Sequence, residues 1–184
     1  MIAAPRSCFL RLCCIGVLWM VAPLTGRADE SEPPPIGSHV AQLNFKDIRY
    51  LPRTLDEFGA KRAYVLIATN TTCPLVRRYL PTLQRMHKKY EEQDVQFLAL
   101  NVAPSDSIVD MAALAVEHEL SIPFVKDTGG QCVRKLGLRR TPEVVILDHD
   151  KRIRYRGRID NQYRLGGARP KPTRDDLAIA LDEL

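Results

Sequence analysis

Two cysteines could do chemistry in the body of this chain, Cys73 and Cys132. Cys73 stands in "ATNTTCPLVRRYLPTL" (68–83), directly before Pro74, where an apolar run gives way to a helical pattern. A thiol there meets the free N–H groups of a helix's first turn, which favour an anion and hence a thiolate. Arg77 and Arg78, one turn on, add positive potential. Such a sulfur can attack a disulfide or reduce a peroxide. The place three residues later, where a second thiol would complete a dithiol motif, holds Val76. The plainer alternative is a buried, inert cysteine. Strand end, Cys-Pro and helix start together favour the reactive one.

The remaining chemistry-bearing types offer less. His39, His87, His118 and His149 do not stand at metal-ligand spacing with each other or with a cysteine, so each reads as a surface residue and no metal is expected. There is no Cys-x-x-Cys-His for haem and no Cys-x-x-x-Cys for copper, and no cofactor is expected. Arg139 and Arg140 precede Pro142; they read either as a solvated loop or as a guide for an acidic partner. Asp160 and Asn161 follow a strand and read as turn formers.

The elements that must position these groups follow from periodicity. "AYVLIAT" (63–69) is a continuous apolar run and predicts a central strand buried on both faces. From Pro74, Val76, Leu80, Leu83, Met86 or His87, and Tyr90 recur at helical steps, with Pro81 inside and expected to kink the helix. "VQFLALNV" (95–102) predicts a second buried strand, and 107–120 an amphipathic helix capped by Ser107. "IPFVKD" is a third strand, and "GGQCVRKLG" a turn and short helix carrying Cys132. "PEVVILD" (142–148) and "RIRYRGRI" read as a strand and its antiparallel partner, and 173–184 as a helix capped by Thr173. Ahead of these, "VAQLNFKDIRY" is a weak strand and Thr54 a cap for a short turn. Strands alternating with helices imply an α/β domain with a central mixed sheet flanked by helices.

The N-terminal extension has a different character. Arg6 and Arg11 precede "LCCIGVLWMVAPL" (12–24), an apolar run shorter than the ~20 residues a membrane span needs. "TGRA" then puts Gly26 and Ala28 at the −3 and −1 places of a cleavage site. Residues 1–28 read as a signal peptide, with an uncleaved anchor as the alternative; 29–38, "DESEPPPIGS", read as a linker, and 39–184 as the domain. An exported product, periplasmic or extracellular and without a stable membrane span after cleavage, lives where disulfides form. Cleavage removes Cys8, Cys13 and Cys14 and leaves only Cys73 and Cys132. The net charge of +5 owes three units to Arg6, Arg11 and Arg27, so nucleic acid is not an expected partner. A single domain with an edge hairpin is compatible with monomer or dimer.

The mature chain resembles the thioredoxin-like superfamily. The resemblance rests on "TTCP", on Pro81 eight residues after Cys73, on "LGLRRTPEVVILD", and on the closing hairpin and helix. It implies a thioredoxin-like fold in which Pro142 is a cis-proline facing the thiol, its bent backbone pairing with a bound substrate's main chain. Thr72, Pro74 and Thr141 would then contact substrate. The departures are specific. The second thioredoxin cysteine is Val76, and the buried proton-relay acid is Ile67. The helper Thr and Pro of peroxiredoxins, counted back from Cys73, fall on Asn70 and Leu66. The chain is most similar to the peroxiredoxin-like or redoxin-domain group that keeps only the first cysteine. Cys73, Pro74 and Tyr79 match its "CP…Y", and "RGRIDNQYRLGGARPKPTRDDL" matches its C-terminal signature.

Three functions stay open on this reading. The first is a thiol-disulfide oxidoreductase acting on protein or small-molecule thiols and disulfides, with Cys73 and Pro142 at its centre. Cys132 would be either the resolving thiol, on a helix that by the resemblance flanks the same end of the sheet, or a small packing residue. The second is a thiol peroxidase, weakened by the missing helpers. The third is a binding module that uses the groove beside Pro142 without chemistry.

Overall fold

Apolar runs that cannot face water on either side must lie at the centre of a sheet. In the computed structural model, which describes Met1, residues 32–164 and residues 166–184, the chain meets that demand. Apart from Met1, the segment read as a signal peptide lies outside the described residues, as do residues 29–31 of the linker. Among the described residues nine strands form: β1 (Asn44–Asp47), β2 (Pro52–Thr54), β3 (Ala63–Thr69), β4 (Val95–Asn101), β5 (Phe124–Asp127), β6 (Glu143–Asp148), β7 (Ile153–Gly157), β8 (Tyr163–Arg164) and β9 (Gly167–Ala168). The helices are α1 (Pro74–Glu91), α2 (Ile108–Glu117), α3 (Gln131–Leu136) and α4 (Asp176–Asp182).

Seven strands make one mixed sheet in the order β2-β1-β5-β4-β3-β6-β7, and β8-β9 stand apart as a hairpin. β3, β4 and β5 run parallel; β6 and β7 add the antiparallel edge. Every residue of β3 is buried, because the sheet is covered on both faces. Val65 and Ile67 point into one core layer with Tyr79, Leu83 and Tyr90 of α1, Met111 and Leu114 of α2, and Leu177 and Leu181 of α4. Leu66 and Ala68 point into the other, with Leu136 of α3 and Val40 and Leu43 of the N-terminal arm. Ser107 caps α2, its side chain accepting from the Asp110 N–H. Among the described residues no helix is long and apolar enough to cross a membrane.

Several details differ from the sequence expectation. The proline-rich stretch is docked along its second half: the Pro34 carbonyl accepts from Arg156 Nη2 at 2.6 Å, and Gly37 N–H donates to the Ile153 carbonyl at 2.7 Å. Gly137, with φ +66, sits against Pro33 and Pro34, where a Cβ would meet the Pro33 side chain at 2.6 Å. α4 begins at Asp176 with Asp175 as its N-cap, not at Thr173. The reason is local: Asn161 Oδ1 accepts the Thr173 and Arg174 N–H groups at 2.9 and 3.2 Å and holds them outside the helix. His87, expected at the surface, is buried on α1 against the Phe97 ring at 5.7 Å.

Candidate active site at the head of α1

β3 ends at Thr69, and the chain then turns through four residues into α1. Two side chains hold that turn. Asn70 Oδ1 accepts the Cys73 N–H at 2.6 Å. Asp106 Oδ2 accepts the Thr71 N–H at 2.6 Å and Asn101 Nδ2 at 2.7 Å. Lys126 completes the cluster, its Nζ donating to Asn101 Oδ1 at 2.8 Å and to the Ala103 carbonyl. Burial pushes the Asp106 carboxyl up, but the bonds from Asn101 and Thr71 and the Lys126 charge outweigh it and hold the group below the ordinary carboxylate range.

Cys73 is the N-cap residue of α1, half-buried, with Pro74 in the first turn. The 18-residue helix directs its unpaired N–H groups at the sulfur's neighbourhood. Cys73 Sγ lies 3.9 Å from the Thr141 carbonyl, and the Thr141–Pro142 bond is cis. Asn70 Nδ2 reaches Thr141 Oγ1 at 3.5 Å, so one side chain contacts both the cysteine turn and the prolyl loop. Buried Glu143 takes the Arg139 N–H at 2.7 Å and fixes that loop from behind. Thr72 and Pro74 are exposed beside the thiol, and Thr141 and Pro142 are half-buried across from it. The structure thus brings Cys73, Thr141 and Pro142 together.

It does not bring Cys132 to them. Both cysteines are free thiols. Cys132 is wholly buried at the start of α3, and its thiol donates to the Asn44 carbonyl of β1 at 3.5 Å. Thr141 leads into β6, and four strand steps separate β1 from β6 in the sheet order. At ~4.8 Å per step that is roughly 19 Å across the sheet. A disulfide needs Cα atoms within ~7 Å. Burial, with the Asp127 carboxylate beside it, pushes the Cys132 thiol up to about 12.

Besides Asp106 and Glu143, three residues take roles at the site that the sequence alone does not show. Asn70, in sequence only the place of an absent helper, holds the Cys73 N–H and reaches Thr141. Arg77 is not a free charge: its Nη1 pairs with Glu117 at 2.8 Å and its Nε donates to the Thr71 carbonyl at 3.3 Å. Asp160, read as a turn former, is buried and accepts the Tyr79 hydroxyl at 2.5 Å. Burial first, then Asp160, raises Tyr79 well above an ordinary phenol. Both halves of this pair lie in sequence motifs, Tyr79 after "CP" and Asp160 in "IDN", which is the signal the sequence carries for it.

A thiol at a helix mouth, opposite a cis-prolyl loop on a mixed sheet covered by helices, is the arrangement of a thioredoxin-like protein. Relatives narrow this further. The Redoxin family model matches residues 52–168, well over half of the chain, and the chain belongs to that family. It is 22% identical over 128 residues to the thiol-disulfide oxidoreductase ResA of Bacillus cereus, spanning 70% of this chain and 72% of that one. Among solved structures it is similar to a hypothetical protein of Sinorhizobium meliloti, with TM-score 0.73, 23% identity, and 82% and 84% of the two chains covered. It is also similar to a putative thiol:disulfide interchange protein DsbE of Chlorobium tepidum, with TM-score 0.59, 16% identity, and 67% and 84% covered. At those identities the structures speak for the fold.

Proposed function

We propose that this protein is an exported thiol-disulfide oxidoreductase that works with one nucleophilic sulfur, Cys73. The observation that carries the proposal is the placement of Cys73 at the mouth of α1 with Sγ 3.9 Å from the Thr141 carbonyl. The name of the ResA relative points the same way. The Cys73 thiolate attacks one sulfur of a substrate disulfide. A Cys73–substrate S–S bond forms, the original S–S bond breaks, and the expelled thiolate takes a proton from water. A thiol from outside the chain, protein or small molecule, then attacks the Cys73 sulfur of the mixed disulfide, expels the substrate thiol and stays bonded to Cys73; a second such thiol attacks that new bond, forms the outer disulfide and frees Cys73. Two such thiols are oxidised to one disulfide for each substrate disulfide reduced. Thr141, Pro142, Thr72 and Pro74 form the wall against which the substrate chain lies.

The external thiol takes the resolving step because Cys132 serves the core. It belongs to the same buried apolar cluster as Leu43, Leu136 and Val125. Residues 1–28 act as the signal, and 39–184 form the working domain in a periplasmic or extracellular compartment. The test is turnover of a small-molecule disulfide by the mature protein with an external thiol as reductant. Cys73→Ser is expected to abolish it, and Cys132→Ala to keep most of it. Equal loss in both variants, or a mapped Cys73–Cys132 bridge, would contradict the single-sulfur reading.

A further inference from the structure

Beside the prolyl loop lies a cleft of about 400 Å³ lined by Leu75, Tyr79, Thr141, Pro142, Ile159 and Tyr163, with Arg140, Arg158 and Arg164 at its edge. Its size falls within the range of ligand sites. The wall is aromatic: Tyr79 and Tyr163 meet edge to face, 5.1 Å between centroids at 78°. Arg78 sits over the outer face of Tyr163 at 6.0 Å. Thr141, whose carbonyl approaches Cys73 Sγ at 3.9 Å, lines the cleft, so the cleft adjoins the thiol's surroundings.

The charges here are unequal. Arg158 and Arg174 share a single carboxylate, Asp176, at 2.6 and 2.7 Å. Arg140 reaches Glu143 only at 3.8 Å, and that carboxylate also takes the Arg139 N–H. Asp160, the acid lining the cleft, is occupied by the Tyr79 hydroxyl and the Gln162 N–H. Arg78 and Arg164 are exposed and have no carboxylate partner among the described residues. Guanidinium groups therefore outnumber carboxylates, and the acids present are already engaged. An apolar, aromatic trough with a surplus of exposed guanidinium at its rim is complementary to a chain carrying carboxylates around an apolar side chain.

We infer that the cleft selects the substrate: it takes an extended peptide segment with acidic residues and an apolar side chain next to the reacting cysteine. The inference rests on the thiol-exchange reading for its purpose, while the charge selection can be tested apart from it. Three peptides share one Tyr-Ser core in place of Tyr-Cys, flanked by Glu, Gln or Lys, and their binding to the full-length Cys73→Ser protein is followed by fluorescence anisotropy. At low salt the Glu peptide is expected to bind at least about tenfold more tightly than the Lys peptide, and raised salt is expected to erode the gap. The exposed pair R140Q/R164Q is expected to bring the ratio below about twofold, while Arg49→Gln, in the β1–β2 turn, preserves it. Equal binding of the three peptides, or a ratio unmoved by R140Q/R164Q, overturns the inference. A lone carboxylate-bearing small thiol that competes as tightly as the Glu peptide overturns the peptide assignment. Exchange of wild-type protein with a neutral small disulfide is scored in parallel. If exchange occurs without charge preference, the cleft inference fails and the redox reading stands. If the preference holds and exchange is absent, the redox reading fails and the cleft stands as a peptide site.

Discussion

The two thiols of the described domain occupy opposite situations within one sheet. Cys73 caps an 18-residue helix, half-buried, facing a carbonyl and a groove. Cys132 starts a six-residue helix, fully buried among aliphatic side chains, with the Asp127 carboxylate taking its own N–H at 3.1 Å. On the proposed function the two thiols take opposite roles, Cys73 as nucleophile and Cys132 as a packing residue. Helix termini and solvent access promote thiolate chemistry. Burial and a neighbouring negative charge suppress it. The comparison teaches that counting cysteines does not count redox partners; the layer of the sheet each one enters decides.

The largest effect should come from exchanging the sulfurs' roles. Cys73→Ser should remove disulfide exchange to background. Cys132→Ala should leave the rate within about twofold and cost about 1–2 kcal/mol of stability through the lost buried volume, read by urea unfolding. Next comes the support beneath the reactive thiol. Asp106→Ala strands the Thr71 N–H and the Asn101 amide, and a loss of about 3 kcal/mol is expected, because two buried donors lose their acceptor. The same variant should slow alkylation of Cys73 without speeding that of Cys132. Tyr79→Phe is smaller. It leaves buried Asp160 with the Gln162 N–H at 2.8 Å, and about 1–2 kcal/mol should be lost in thermal unfolding.

The smallest effect is a pH slope. Burial holds His87 below the ordinary imidazole value, against a weaker opposing pull from Glu91. The unfolded chain then binds the proton more readily than the folded one. Stability should be complete at neutral pH and decline as pH falls through about 6.5, where the unfolded imidazole titrates. His87→Leu should remove that part of the slope. Asp106 adds a second decline further into acid, because its lowered carboxyl stabilises the fold above about 4 and that support fades as the group is protonated.

Much of the framework was legible in the chain. β3, β4 and β6 are runs too apolar to face water, and α1 and α2 carry a clean helical stripe. The family resemblance located the cis peptide at Pro142. What escaped reading was long-range. β2, three residues including Pro52, and the two-residue β8 and β9 exist through pairing, not through hydrophobic pattern. The proline-rich arm looks like a linker until Arg156 and Gly137 are placed beneath it. Asp160 and His87 are polar residues buried by partners 81 and 10 residues away, Tyr79 and Phe97. Local propensity carries no trace of such contacts. The site followed the same division: Cys73 and Pro142 carry sequence signatures, whereas Asn70 and Asp106 act through contacts that only folding creates.

The most direct measurement is differential alkylation of the two thiols with isotopically light and heavy reagent, native first and denatured second, mapped by mass spectrometry at neutral pH. Cys73 is expected to carry the light label within minutes, and Cys132 only the heavy label added after unfolding. Light label on Cys132, or a native Cys73 that stays unlabelled, would contradict the assignment of one working sulfur at the head of α1.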